Sequence, residues 1–326
     1  MLKLNDQTLA VWEAAANSTA IPTVITPSTP DITFEHFVEW INNHRESLNQ
    51  VLMELGALLL RGFKCNSAED FESVCKTFSP ELLNYIGGGS PRTIVKNRVY
   101  TSTHYPAQQH IMLHNECSYL KKMPSILFFF CQQPPTDRGE TPIGDMRRVL
   151  EKISPDIRDK FAEKGVTYIS NLHGGKGFNR SWQETFQTDD RSKVEQILTA
   201  DGYDYQWKAD GGLQTSLTCP GIRNHPITGK AYWGNQAINW HPHEFDAKQR
   251  QLLLSLYGEN GLPKNARYGD GTPISDQEID HIREVLLSEE VVFNWQQGDI
   301  LICDNQAIAH GRQPFTGERK ILVSMA

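Results

Sequence analysis

The sequence predicts a mainly β fold with α elaborations, a sandwich or barrel. Ten short strand candidates fall between residues 111 and 324, punctuated by Gly, Pro, Asn and Asp. Many short strands with turns fit a sandwich or barrel better than a parallel sheet. Only the first 80 residues alternate helix and strand, and no phosphate loop or G-x-G-x-x-G occurs, so nucleotide chemistry has no support.

Taken in order, residues 31–55 place apolar side chains at 34, 37, 38, 41, 48, 51, 52 and 55, which is helical spacing. Gly56 stops that helix, and 57–63 reads as a buried strand. Ser67 with Asp70 three residues on predicts an N-cap opening a second helix to about Phe78. Strands are expected at 111–116, 125–132, 141–145, 166–172, 202–207, 214–219, 231–239, 291–293, 299–303 and 320–324. Helices are expected near 144–164, 180–200, 243–258 and 275–288. No linker separates two halves. The chain therefore reads as one domain over 1–326, with an N-terminal α/β elaboration (about 1–85) and helical insertions (about 144–200 and 243–290).

Composition narrows the function classes. The 326 residues, 39% of them hydrophobic, supply ample core. The net charge is −7, with no run of five like charges, which argues against nucleic-acid binding. Apolar runs such as 125–131 are too short to span a membrane, and acidic Asp6 and Glu13 argue against a secretory signal. The six cysteines include no C-x-x-C pair, which excludes a zinc ribbon and suggests reduced thiols in the cytoplasm.

Two segments carry chemistry. In Leu113-His114-Asn115-Glu116, strand geometry would project His114 and Glu116 to one side. That is half of a two-histidine, one-carboxylate site of the kind that binds non-haem Fe(II). Alone, the motif is weak, and a surface or structural His beside a solvated Glu is the plainer reading. Near the C-terminal end, a strand (299–303) leads to His310, which can supply the third ligand. A Pro/Gly turn (314–317) then reverses the chain into a strand opened by Arg319. Arg319 alternates in phase with Ile321 and Val323, whereas Lys320 falls on the other face. A buried Arg is costly unless it meets an anion, and its fork suits a carboxylate. A surface Arg at a hairpin is the alternative.

Together these segments resemble the TauD/TfdA-type family of Fe(II)/2-oxoglutarate-dependent oxygenases, closest to the SyrP-like natural-product branch. The matching stretches are LHNECSYL (113–120), PSILFFFCQQPP (124–135), RGETPIGDMRRV (138–149), HPITGKAYWGNQ (225–236) and QGDILICDNQAIAHGRQPFTGERKILVSM (297–325). The resemblance implies a distorted double-stranded β-helix, or jelly roll. It implies that His114, Glu116 and His310 are iron ligands, with Glu where many relatives have Asp. It implies that Arg319 and Thr141 hold the distal carboxylate of 2-oxoglutarate, with Lys320 the rival anchor if the strand slips by one. Related halogenases carry Ala or Gly at the position of Glu116, so halogenation is not expected.

The implied reaction uses Fe(II), 2-oxoglutarate and O2, releases succinate and CO2, and hydroxylates a small amino-acid-like or peptide-like metabolite, free or presented by a carrier protein. Desaturation or epoxidation is the alternative outcome of the same chemistry. A non-catalytic binding module on the same fold, or a metal-dependent isomerase without the keto acid, would not need this full residue set.

Other features read more plainly. Trp233, Asn235 and Gln236 are candidate pocket residues on a hairpin, or ordinary packing. Arg312 meets a substrate or co-substrate carboxylate, or else pairs with Asp304. The cluster His241-Pro-His243-Glu244 reads as loop and N-cap. His173 to Phe178 reads as a lid or a surface loop, and His104, His110 and His173 are unassigned. Strand parity turns Cys117 away from the ligands.

Overall fold

The computed structural model describes residues 10–13, 21–84, 92–103, 105–177 and 180–326. His104 and residue 178 therefore lie outside the described residues. The largest sheet has eight strands, in the order Ala10–Glu13, Thr23–Pro27, Ala57–Leu60, Ile300–Asp304, Ile126–Gln133, Lys320–Met325, Val99–Thr101 and Ile94–Lys96. Its pairings are antiparallel apart from Thr23–Pro27 with Ala57–Leu60. A three-stranded sheet sets Ile308–Arg312 between Ile111–His114 and Ile143–Asp145. A four-stranded sheet carries Asp204–Trp207, Leu213–Cys219, Val166–Leu172 and Lys264–Tyr268.

The apolar run in Ile126–Gln133 is buried on both faces, and its period-2 alternation divides two cores. Phe128 and Phe130 point outward with Leu58, Leu60, Ile302 and Leu322, where helices Phe34–Leu55 and Ala68–Phe78 cover them. Leu127, Phe129 and Cys131 point inward with Leu59, Leu301, Ile321 and Val323. Burying each such Phe contributes roughly 1.5–3 kcal/mol.

The two helices start and stop as expected. Thr33 Oγ1 accepts from His36 N, and Ser67 with Asp70 forms a reciprocal capping box. Gly56 ends the first helix at φ 92°, where a Cβ would also lie 2.6 Å from Ile308.

Three expectations need correction. The stretch 231–239 is not one strand: it pairs only at Ala231–Tyr232 and then forms a short helix, Ala237–Trp240. The Asn235 side chain favours that break, accepting from Ala237 N at 3.1 Å and donating to Gly221 O at 2.7 Å. The stretch 291–293 makes a single bridge, Val291 to Ile143. The strand 111–116 stops at His114, and Glu116 sits in a turn.

Candidate metal centre and anion seat

His310 and His114 are direct cross-strand partners in the three-stranded sheet. Their rings lie 4.4 Å apart, and Phe129 from the main sheet packs 4.9 Å from the His310 ring. Gly311 permits the close approach, because a Cβ there would fall 2.5 Å from Ile111 O. His114 Nδ1 lies 2.9 Å from Met112 O. Only an N–H can bond a carbonyl, so Nδ1 carries the hydrogen and Nε2 presents its lone pair.

Glu116 joins them by a turn rather than by strand alternation. Cys117 adopts φ 59°, and Ser118 N donates to Asn115 O at 3.2 Å. The turn is clamped by Asn305: its Oδ1 accepts Glu116 N at 2.8 Å, and its Nδ2 donates to Glu116 O at 3.0 Å and Pro124 O at 2.8 Å. Asn115 Nδ2 returns a bond to Asn305 O at 2.7 Å, and Gln236 Nε2 donates to Asn115 O at 2.6 Å. Cys117 does not face away from the ligands as strand parity implies. Its Sγ lies 3.8 Å from Glu116 Oε1, and burial pushes the thiol up.

One ligand atom from each of His114, Glu116 and His310 falls within 4.8 Å of the others. Burial lowers both imidazoles, that of His310 well below its usual value, so both are neutral and competent as ligands. His310 Nδ1 is buried without a hydrogen-bond partner, so packing against Phe129 and His114 sets this ring. Two neutral imidazoles and one carboxylate, largely buried, fit a divalent iron.

Arg319 lies on the same cavity. Its Nε donates to Gly139 O at 2.7 Å and its Nη2 to Thr141 Oγ1 at 3.1 Å. Burial lowers it to about 10, still cationic near neutral pH. Trp295 Nε1 also donates to Thr141 Oγ1, at 3.0 Å. A hydroxyl that accepts twice keeps its own hydrogen for a third group. Arg319 and Thr141 therefore present donors suited to a carboxylate. Lys320 is exposed, and a register irregularity separates it from Ile321, so it is not the inward cation.

The metal cluster, Thr141 and Arg319 open on one cavity of about 1070 Å³, lined also by Arg92, Tyr105, Tyr168, Gln236, Trp240 and Arg312. Of the four pocket candidates, Arg312 and Gln236 line it; Trp233 and Asn235 do not. Trp233 is buried 4.7 Å from Phe161, and Asn235 serves the backbone break already described. Arg312 makes no pair with Asp304. It donates to Tyr105 O at 2.8 Å, Pro106 O at 2.5 Å and Gln109 O at 2.9 Å, fixing that loop. Asp304 instead meets His225 at 3.0 Å.

His241 and His243 sit in a loop and short 3-10 helix, and Glu244 faces the cavity paired with Lys264 at 2.5 Å. His110 pairs with Glu290 at 3.0 Å, and His173 bridges Ser181 beside the cavity residues Arg180, Thr185 and Phe186. Sequence reasoning missed Asn305 and Arg92. Asn305 stands in the matched stretch before His310; Arg92 carries no local signal at all.

Comparison with known proteins agrees with this geometry. The chain is 38% identical over 302 residues to the dapdiamide synthesis protein DdaC of Enterobacter agglomerans, covering 93% of this chain and 90% of that one. It is 32% identical over 321 residues to a clavaminate synthase-like protein of Arabidopsis thaliana, covering 94% of each. Its fold is similar to that of PvcB, an Fe, alpha-ketoglutarate dependent oxygenase from an isonitrile synthetic pathway, at TM-score 0.51 and 16% identity over 93% of this chain and 84% of that one. The family described as "Taurine catabolism dioxygenase TauD, TfdA family" matches residues 21–325. With its His-Glu-His cluster and the Arg319–Thr141 pair on one cavity, the chain belongs to the TauD/TfdA family and is an Fe(II)- and 2-oxoglutarate-dependent dioxygenase.

Proposed function

We propose that the chain hydroxylates an unactivated C–H of a small amino-acid-like or peptide-like metabolite, free or carrier-bound, coupled to conversion of 2-oxoglutarate to succinate and CO2. The observation that carries this reading is the shared cavity of His114, Glu116, His310, Thr141 and Arg319. Its volume stands at the upper end for a drug-sized ligand, which supports a peptide-like substrate. The names of DdaC and PvcB, one of dapdiamide synthesis and one of an isonitrile pathway, support small-molecule synthesis.

In this reading His114, Glu116 and His310 hold the iron, and Arg319 with Thr141 holds the distal carboxylate of 2-oxoglutarate. The bound pair supplies the oxidising chemistry with O2. The chain's own work is positioning. Gln236 and Asn305 stiffen the Glu116 turn, Arg312 ties down the 105–109 wall, and Phe129 helps keep the His310 ring dry. The facing sheets are read as a distorted double-stranded β-helix, and 1–326 as one catalytic domain with its elaborations. The large sheet supports that reading, since it joins Ala57–Leu60 directly to Ile300–Asp304. Six free, buried cysteines support reduced thiols in the cytoplasm.

The test is anaerobic titration of metal-free protein with Fe(II) and then 2-oxoglutarate, watching the visible charge-transfer band of the chelate. Saturation near one equivalent supports the reading, and iron binding without the band overturns the keto-acid seat. Product mass then separates hydroxylation from desaturation or epoxidation.

A further inference from the structure

The cavity wall beside the ligand turn carries two uncharged polar groups whose hydrogen-bonding sense is fixed from behind. Gln236 Nε2 donates to Asn115 O at 2.6 Å. That bond orients the amide, since only its nitrogen donates, and leaves Oε1 as an acceptor. The Gln236 backbone N–H donates to Tyr168 Oη at 2.8 Å. The phenol accepts there and keeps its own hydrogen, because burial pushes it up. Among the described residues, no group takes the Tyr168 hydrogen or donates to Gln236 Oε1.

Both residues line the cavity. Gln236 is 5% exposed, yet its Oε1 is not sealed off, so that atom opens on the cavity. Aromatic rings surround the pair: Trp240 lies 5.3 Å from the Tyr168 ring and 5.1 Å from that of Tyr119. One donor and one acceptor between aromatic walls complement a flat group that both accepts and donates. An ammonium only donates and a carboxylate only accepts, so each leaves one of the two unanswered. An amide, with its C=O toward Tyr168 and its N–H toward Gln236, answers both. Neither wall group is charged, so the match does not depend on ionic groups such as Arg92, which pairs with Glu116 at 2.5 Å.

We propose that Tyr168 and Gln236 form an amide seat, selecting a substrate that places a peptide amide or primary carboxamide beside the metal cluster. Gln236 is then a specificity-determining residue, joined through Asn115 to the turn between His114 and Glu116. The proposal rests on the reading of this cavity as the substrate site of a metal enzyme, and deepens it.

The test uses the full chain, first without added metal, and follows small fluorinated probes by fluorine NMR. The probe para-fluorobenzamide offers both bonds, whereas para-fluoroacetophenone keeps the carbonyl and lacks the N–H. Wild type binds the benzamide about tenfold more tightly, the effect of one hydrogen bond at a buried acceptor. Gln236→Met removes the acceptor and erases this preference, leaving the ketone within about threefold of wild type. Tyr168→Phe removes the donor that both probes use, so both weaken and the preference survives. If the two residues only shape the wall, Gln236→Met weakens both probes alike and keeps the preference, which overturns the proposal. Absence of binding or of preference in wild type overturns it as well, and so does para-fluorobenzyl alcohol binding as tightly as the benzamide. If Gln236→Met does not fold, Gln236→Asn is read instead: its shorter arm withdraws the acceptor, and retention of the full preference overturns the proposal. Mn(II) is then added. Paramagnetic broadening of the bound benzamide's fluorine signal supports a seat beside the cluster, and no broadening although Mn(II) binds overturns it. Failure of Mn(II) to bind sinks the metal-site reading, while the preference measured without metal still decides the amide seat.

Discussion

Asn305 holds the Glu116 peptide by both of its polar groups, accepting from the N–H at 2.8 Å and donating to the carbonyl at 3.0 Å. A buried turn with φ 59° at its next residue has no strand ladder to satisfy it, so this one side chain replaces the ladder.

Asn305→Ala leaves these backbone groups buried and unpaired. The expected cost is about 1–3 kcal/mol in unfolding free energy, with weaker Mn(II) binding because Glu116 loses its fixed position. Denaturant unfolding and metal titration check it. A stable variant with wild-type metal affinity would show the clamp to be redundant.

The anion seat makes a graded prediction. Arg319→Gln removes the fork and weakens 2-oxoglutarate binding by about a hundredfold, while Thr141→Val removes one donor and weakens it by about tenfold. Thr141→Ser keeps the hydroxyl and stays near wild type. The charge-transfer band, titrated against 2-oxoglutarate, reads all three, and Fe(II) binding alone is unaffected.

Gly311 separates His310 from Arg312 on one strand, where a Cβ would lie 2.5 Å from Ile111 O. Gly311→Ala pushes the histidine-bearing strands apart. Metal affinity falls by at least about tenfold even if the fold survives, because ligand geometry tolerates little displacement. Retention of wild-type metal affinity in a folded variant would refute this.

A pH dependence follows from His241, which lies away from the metal cluster. Its Nε2 donates to Ile274 O at 3.0 Å and its Nδ1 accepts from His243 N at 3.1 Å, so only the neutral ring satisfies both. Burial lowers it to about 4. The unfolded chain takes up this proton near pH 6.5, before the folded one does. The stabilisation is therefore complete above about pH 6.5 and lost as pH falls toward 4, by at most about 3 kcal/mol. Unfolding free energies measured at pH 7 and pH 4.5 should show a smaller drop in His241→Asn than in wild type.

Local signals in the sequence were readable where the contacts they make are local. Ser67 and Asp70 announced their capping box three residues apart, and the 125–132 run announced a strand, which the fold then covers on both sides. The pairing of His114 with Glu116 was also legible, but for a different reason from the one that operates. They converge through a turn and a residue at φ 59°, not through strand alternation. Arg92 and Asn305 were not legible, because their roles exist only across the fold: Asn305 meets Glu116 from 189 residues away. The same distance hid the difference between Gln236, which reaches the cavity, and Trp233, which does not.

The order of strands in the large sheet sets the order in which the enzyme can come alive. Ile126–Gln133 lies between Ile300–Asp304 and Lys320–Met325, so both of its edges wait for chain made some 170 residues later. During synthesis this apolar strand has no neighbours, and its bare edges are a hazard for self-association until residues 300–325 have been made. His310 and Arg319 arrive in that same stretch. The cluster can thus assemble only after residue 310 is made, and a chain stalled before residue 300 would be sticky and unable to form it.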